Sequence, residues 1–268
     1  MDHAMVWENK KNQEILVAKE IVKKYSNGHM AINGVSFSMK KGECLGLVGE
    51  SGSGKSTLAK CILMVEKIDK GEIWLNGEPL HNMKKSDVRK KCISMQAIFQ
   101  NPTSALNSRL KIIDSLMEPL DYQPWVEPSF LKGIRGDRRK SAERLLDMVE
   151  LPSRYLDSYP HELSGGQKQR IIIARAISVE PLFIVLDEPT ASLDVSVQAK
   201  VLNLLKDLQE QLKLSYFFIS HDLSAVNFMC QRIMVMKDGS IVDSFKREDL
   251  FRKERDIYTK QLLEIFQG

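Results

Sequence analysis

Short apolar runs separated by polar turns dominate the chain. Cys44-Leu45-Gly46-Leu47-Val48 and Leu182-Phe183-Ile184-Val185-Leu186 are uninterrupted, the pattern of strands buried on both faces of a parallel sheet. Between Ile15 and Met39, β-rich pieces alternate with turn signals such as Ser26-Asn27-Gly28, which predicts an antiparallel section. Glu72-Ile73-Trp74-Leu75 continues it into Asn76-Gly77, a strong hairpin turn, and Ile93 to Phe99 predicts a further strand. Between about Lys111 and Ser158 the period becomes helical, with Ala142, Leu145, Leu146 and Val149 on one face. The tract from Asp121 to Arg139, with Pro124, Pro128, Gly133 and Gly136 among charges, reads as a loop inside that region. From Leu182 onward strands at 182–186, 215–219 and 233–236 alternate with helices at 197–212 and near 222–231. Val197, Val201, Leu204, Leu205, Leu208 and Leu212 form an apolar stripe that predicts packing on a sheet. Lys237-Asp238-Gly239-Ser240 turns into one more strand, and 257–266 reads as a closing helix.

The fold class that follows is α/β, with a mixed sheet core, an antiparallel β section and an inserted helical subdomain. Residues 1–14 read as a polar tail, 15–245 as one compound domain with the helical subdomain at about 103–180, and 246–268 as a short helical tail. The chain has no internal repeat.

One stretch adds chemistry to this outline. Gly49-Glu50-Ser51-Gly52-Ser53-Gly54-Lys55-Ser56-Thr57 fits the phosphate-loop pattern G-x-x-x-x-G-K-[S/T], between a predicted strand and the apolar-periodic Leu58-Ala59-Lys60-Cys61-Ile62-Leu63. Glycines let backbone N–H groups converge on phosphate oxygens, and the N-terminus of the following helix adds partial positive charge. Lys55 reaches the β- and γ-phosphates and the Ser56 hydroxyl ligates magnesium, so ATP and Mg2+ are the expected cofactors.

Composition changes little. A hydrophobic content of 43% and a charged content of 28% fit a globular domain, and no run approaches the roughly 20 apolar residues needed to span a bilayer. The net charge of +4 is modest. The basic residues cluster only at Lys132, Arg135, Arg138, Arg139 and Lys140, a solvated segment on the simplest reading, with contact to anionic lipid headgroups as the alternative. Cys44, Cys61, Cys92 and Cys230 lie far apart with no C-x-x-C pair, which predicts reduced, partly buried thiols. The N-terminus lacks the zones of a secretory signal.

Two further motifs narrow the reading. Phe183-Ile184-Val185-Leu186-Asp187-Glu188 is an apolar strand ending in two acids, the expected partner of a phosphate loop: Asp187 for the metal or its waters, Glu188 to polarise the attacking water. Leu163-Ser164-Gly165-Gly166-Gln167 opens a helix running through Ala176, and Ser164 with the glycine N–H groups makes a second anion site. With these elements in this order, the chain resembles the ATP-binding cassette (ABC) ATPases from about Ile15 to Val242. The resemblance implies a P-loop NTPase cassette in which Gln100 contacts magnesium and the attacking water. It also implies that Ser192-Leu193-Asp194 communicates across a dimer, His221 contacts the γ-phosphate and Tyr25 stacks on adenine. Ser164, Gly165, Gly166 and Gln167 would meet the nucleotide held by a facing cassette.

Phe99-Gln100-Asn101-Pro102-Thr103-Ser104-Ala105-Leu106 and Tyr258-Thr259-Lys260-Gln261-Leu262-Leu263 resemble segments of the nickel and di-/oligopeptide importer ATPases. That likeness implies a peripheral subunit at the cytoplasmic face of the membrane. Its partners would be a second ABC ATPase subunit, identical or paralogous, two membrane permease subunits and an extracytoplasmic solute-binding protein, with no nucleic acid. The chain lacks the cysteine-bearing extension of many peptide-importing members, which leans the expected cargo toward nickel or a metal chelate. The alternative is a soluble, non-transport ABC ATPase acting on DNA or ribosomes. Against it, the span from Gln100 to Leu163 leaves no room for a long coiled coil, and there is one cassette.

Overall fold

The computed structural model describes residues 13–267 apart from Asn82, residues 84–86 and 88–90, and Cys92. The greater part of the predicted tail at 1–14, and Cys92, therefore lie outside the described residues. The chain divides into two compact units, one made of the residues up to Lys91 together with those from Lys213, the other of Cys92–Leu212.

In chain order, β1 (Glu14–Lys24), β2 (Met30–Lys40), β3 (Cys44–Val48), α1 (Lys55–Ile62), β4 (Lys70–Leu75) and β5 (Glu78–Pro79) belong to the first unit. The second holds β6 (Met95–Ile98), α2 (Ile112–Asp121), α3 (Arg138–Met148), α4 (Gly165–Ile177), β7 (Phe183–Asp187) and α5 (Val195–Leu212). The first unit resumes with β8 (Ser215–Ile219), α6 (Leu223–Met229), β9 (Arg232–Lys237), β10 (Ser240–Lys246) and α7 (Ile257–Gln267).

Two sheet sections build the first unit. β2, β1, β4 and β5 form the expected antiparallel sheet in that order. Its Asn76-Gly77 turn has φ 48° and 80°, the doubly left-handed geometry that Asn-Gly tolerates. In the other section β3 lies between β8 and β9, parallel to both, and β10 closes antiparallel on β9. Every residue of β3 and β8 is buried, which is why both read as continuous apolar runs. Phe37 of β2 stacks on Phe217 of β8 with ring centroids 5.5 Å apart, joining the two sections across one core.

Within the second unit β6 and β7 pair in parallel, and the helices between them pack on one another. β6 is shorter than the predicted 93–99: Phe99 is 44% exposed, past the last paired residue. Ala142, Leu145, Leu146 and Val149 are fully buried, as their spacing requires. Val197 and Leu212 are only half-buried, so the stripe on α5 is narrower than predicted. Val197 instead places its Cγ1 where a Cβ on Gly166 would stand 2.4 Å away, a close approach of α5 to α4 that only glycine permits.

The basic cluster is not a simple solvated loop. Arg135 donates to the carbonyls of Val126 and Leu120 at 3.1 and 2.7 Å. Arg138 pairs with Asp114 and Asp121, Arg139 with Asp157 and Glu143, and Lys140 with Asp137. Exposed pairs of this kind contribute little singly; the tract between α2 and α3 is tied back to α2 by Arg135, through the Leu120 carbonyl, and by Arg138, through Asp114 and Asp121. That tract also carries a short 3-10 turn at Ser129–Leu131, with Leu131 buried. Cys44, Cys61 and Cys230 are free thiols and fully buried, more so than predicted. Among the described residues no helix is long and apolar enough to cross a membrane.

A Cβ on Gly46 of β3 would come within 2.6 Å of Val226 Cγ1 and 3.0 Å of Cys230 Sγ on the α6 side. Gly46→Ala is expected to cost about 1–3 kcal/mol by overpacking, and to cost less in a Val226→Ala background, which opens that space. Urea unfolding of the four proteins checks this; additive effects would show that α6 does not press on β3.

Candidate nucleotide-binding site

The loop after β3 is shaped by glycines at three positive-φ positions: Gly49 (153°), Gly52 (84°) and Gly54 (106°). Two of them admit no side chain. A Cβ on Gly49 would lie 2.1 Å from the Met236 carbonyl oxygen and one on Gly54 2.4 Å from that of Ala31, both rigid backbone atoms. The β9–β10 turn supports the loop from the same side, with Gly239 donating to the Ser53 carbonyl at 3.0 Å. Around this frame the Lys55 ammonium, 7% exposed, donates to the Gly49 and Glu50 carbonyls at 2.8 and 2.7 Å, with Ser53 Oγ at 3.4 Å.

α1 begins at Lys55 with no side-chain cap and no acid in its first turn. The residues present fit a phosphate chain: a buried cation, glycines that admit close approach, and a helix N-terminus that no carboxylate of its own neutralises. Tyr25 is half-buried, and its hydroxyl lies 3.4 Å from Thr57 Oγ1, which sets the ring beside the head of α1. His221 is exposed at the same edge. Ile219 pairs with Leu47, so His221 and Gly49 each leave the sheet two residues beyond a matched pair. Asp222 caps α6 by accepting from Ser224 and Ala225, which fixes the backbone next to His221.

The same logic operates in the second unit. Ile98 pairs with Leu186, so Gln100 and Glu188 leave adjacent parallel strands at matching heights. Asp187 is 9% exposed at the end of an otherwise apolar strand. Glu188 has φ 51°, a left-handed backbone unusual for a residue with a side chain, which ends the strand abruptly and redirects the chain into Pro189-Thr190. Ser164 caps α4: its Oγ accepts from the Gln167 N–H at 3.3 Å, and Gln167 Oε1 accepts from the Ser164 N–H at 2.9 Å. Gln167 also donates to Tyr155 OH at 2.8 Å. Ser164 and Gly165 remain exposed at this helix head. Further along α4, Arg175 donates to the Ala105 carbonyl at 2.9 Å and pairs with Glu118, gripping the segment that follows Gln100. Asp194 accepts from the Val197 N–H and from Ser196 Oγ, so it is the cap of α5. These bonds, the Val197 N–H first, hold its carboxyl below the usual range.

The contributions from Ala31, Met236 and Gly239 were not anticipated from sequence. The one available signal was the Asp238-Gly239 turn, which marks where β9 reverses. Among the described residues no group of three or more His, Cys, Asp or Glu side chains is placed to hold a metal, so any cation here takes hydroxyl, amide and phosphate oxygens as well.

Loop, buried lysine and helix head define a nucleotide-binding protein of the phosphate-loop class. A family model described as ABC transporter matches residues 32–191. The oligopeptide transport ATP-binding protein OppF of Streptococcus mutans is 46% identical, the match covering 89% of this chain and 75% of that protein. The dipeptide transport ATP-binding protein DppF of Haemophilus influenzae is 43% identical over 87% of this chain and 69% of its own length. Among solved structures, a dimeric ATP-binding cassette in a post-hydrolysis state with ADP and Pi superimposes with a TM-score of 0.76. It is 30% identical, with 87% of this chain and 99% of that one covered. The chain belongs to the ABC transporter family, and it is an ATP-hydrolysing cassette of that family.

Gly54→Ala should abolish ATP binding, because alanine is strained by about 1–3 kcal/mol at this φ and its Cβ meets the Ala31 carbonyl. Titration with a fluorescent ATP analogue measures this; wild-type affinity would show that the loop does not depend on that approach.

Proposed function

We propose that this chain is the ATPase subunit of a peptide importer. It works at the cytoplasmic face of the membrane with a second ABC ATPase subunit, identical or paralogous, two membrane permease subunits and an extracytoplasmic solute-binding protein. The observation that carries the reading is the 46% identity with an oligopeptide transport protein over nearly the whole cassette. The relatives named above support peptide over nickel or metal chelate, and transport over a soluble role on DNA or ribosomes. In this reading 15–245 is the cassette, 103–180 its helical subdomain and 246–268 its tail.

The residues divide the work by chemistry. Backbone N–H groups of the phosphate loop and the Lys55 ammonium bind the β- and γ-phosphates, and Tyr25 stacks on adenine. For Mg2+ the fit rests on oxygen donors: the Ser56 hydroxyl, the Gln100 amide oxygen and the nearly buried Asp187 carboxylate. Bound there, Mg2+ supplies neutralising charge to the phosphate oxygens. Glu188 accepts a hydrogen bond from the attacking water and orients it, while His221 donates to the γ-phosphate. Ser164 and Gly165, exposed at the head of α4, suit contact with a nucleotide held by a facing cassette, with Asp194 beside that junction.

Glu188→Gln keeps shape and backbone geometry while losing the carboxylate. Steady-state ATP turnover should fall by orders of magnitude with nucleotide affinity little changed, and near-normal turnover would remove Glu188 from the catalytic role. For the cargo, cells lacking this chain should lose uptake of radiolabelled oligopeptide and regain it with the wild-type chain but not with Lys55→Ala. Unchanged peptide uptake with lost nickel uptake would replace the peptide reading by the nickel one.

A further inference from the structure

The Tyr258-Thr259-Lys260-Gln261-Leu262-Leu263 stretch on α7 has no place in the chemistry above, yet it reaches the phosphate loop. Tyr258 is 6% exposed, and its hydroxyl oxygen accepts from the Glu50 N–H at 3.1 Å. That N–H belongs to the peptide unit whose carbonyl is Gly49, and the Gly49 oxygen accepts from the Lys55 ammonium at 2.8 Å. In a trans peptide the two groups point in opposite directions, so Tyr258 and Lys55 grip one peptide plane from its two sides. Gly49 has no side chain to resist rotation of that plane. Its orientation is held by the two hydrogen bonds together.

The phenol is firmly mounted. Asp243 on β10 accepts from Thr259 Oγ1 at 3.0 Å, from the Asp256 N–H at 3.1 Å and from Arg255 Nη1 at 3.4 Å, which ties down the start of α7. Asp256 Oδ1 accepts from the Tyr258 N–H at 2.8 Å. Lys237 Nζ lies 4.6 Å from the Tyr258 ring centroid, one residue after the Met236 carbonyl that closes on Gly49. Burial pushes the phenol pKa above its ordinary value, so the oxygen stays a neutral acceptor.

We propose that Tyr258 is a positioning residue for nucleotide binding: its hydroxyl sets the Gly49-Glu50 peptide and, through the Gly49 carbonyl, the Lys55 ammonium. Seating of α7 and occupancy of the phosphate loop are then linked, each favouring the other by the same factor. The inference rests on the phosphate loop binding ATP.

The test compares full-length wild type, Tyr258→Phe and Tyr258→Ala. Phenylalanine keeps the ring and its place over Lys237 and removes only the acceptor. In ligand-free protein, amide hydrogen exchange at Glu50 should quicken about tenfold in Tyr258→Phe, the loss of one buried hydrogen bond. In the same variant a fluorescent ATP analogue with Mg2+ should bind about 3- to 10-fold more weakly, with the thermal midpoint of the ligand-free protein lowered by no more than the roughly 2–4 °C that one hydrogen bond accounts for. Unchanged exchange at Glu50 would overturn the proposal, and this arm needs no nucleotide, so it stays decisive if the analogue fails to bind even the wild type. Wild-type affinity in Tyr258→Phe with weakened binding only in Tyr258→Ala would overturn it too, assigning the effect to ring packing. So would a thermal midpoint in Tyr258→Phe as low as that in Tyr258→Ala, which would assign the lost affinity to general destabilisation.

Discussion

The buried ammonium of Lys55 is the constraint on which the first unit depends. A lysine held at 7% exposure requires acceptors, and the loop supplies its own: the Gly49 and Glu50 carbonyls. Turning those carbonyls inward around a single cation forces the backbone through positive φ at Gly49, Gly52 and Gly54. Such a path is not self-supporting. Met236 and Ala31 press on it from β9 and β2, Gly239 bonds to Ser53, and Tyr258 holds the Glu50 N–H. The antiparallel section, the β9–β10 hairpin and the closing helix therefore share one task, which is to keep a strained loop open toward an anion.

Much of this was legible in the sequence because the decisive signals are local. The phosphate loop, the Ser164-Gly165-Gly166-Gln167 cap and the Asp187-Glu188 strand end each fit within a few residues, and the structure sets them at strand ends and helix heads as their spacing implied. Parallel strands could be read from uninterrupted apolar runs, since burial on both faces leaves no alternation to find. What could not be read was pairing across distance. Nothing near Arg138 in sequence announces Asp114 or Asp121, so a paired tract looked like a solvated one. Val197 fitted a stripe by period, yet its position is set by a glycine on another helix. Tyr258 lies far from Glu50 along the chain, and no periodicity encodes one hydroxyl meeting one amide.

The second unit adds coupling between its own parts. Arg175 sits on the helix that Ser164 opens, and its guanidinium holds Ala105 and Glu118, in the segment that follows Gln100. Any displacement of that segment along with Gln100 must stretch these contacts or carry α4 with it. Gly166 adds a second such link, because α5 approaches α4 too closely to slide freely past Val197. A Cβ on Gly165 would stand 3.5 Å from Leu193 Cδ2, so the head of α4 packs against the loop leading into α5.

Helix heads explain why an anion would choose α1. Asp222 fills the head of α6 and Asp194 that of α5, each accepting from backbone N–H groups that an outside anion would otherwise use. A carboxylate in that position also repels a phosphate. The head of α1 has neither obstacle: Gly54 offers no capping side chain, the first turn carries no acid, and Lys55 stands within it. α4 is intermediate, because its cap is the neutral hydroxyl of Ser164, which satisfies the Gln167 N–H without adding negative charge and leaves Gly165 exposed. Of these four heads, the two without a carboxylate are those of the phosphate loop and of the Ser164 motif. An outside anion thus meets no resident carboxylate at the heads of α1 and α4 and meets one at those of α5 and α6, a discrimination set by four residues, Gly54, Ser164, Asp194 and Asp222.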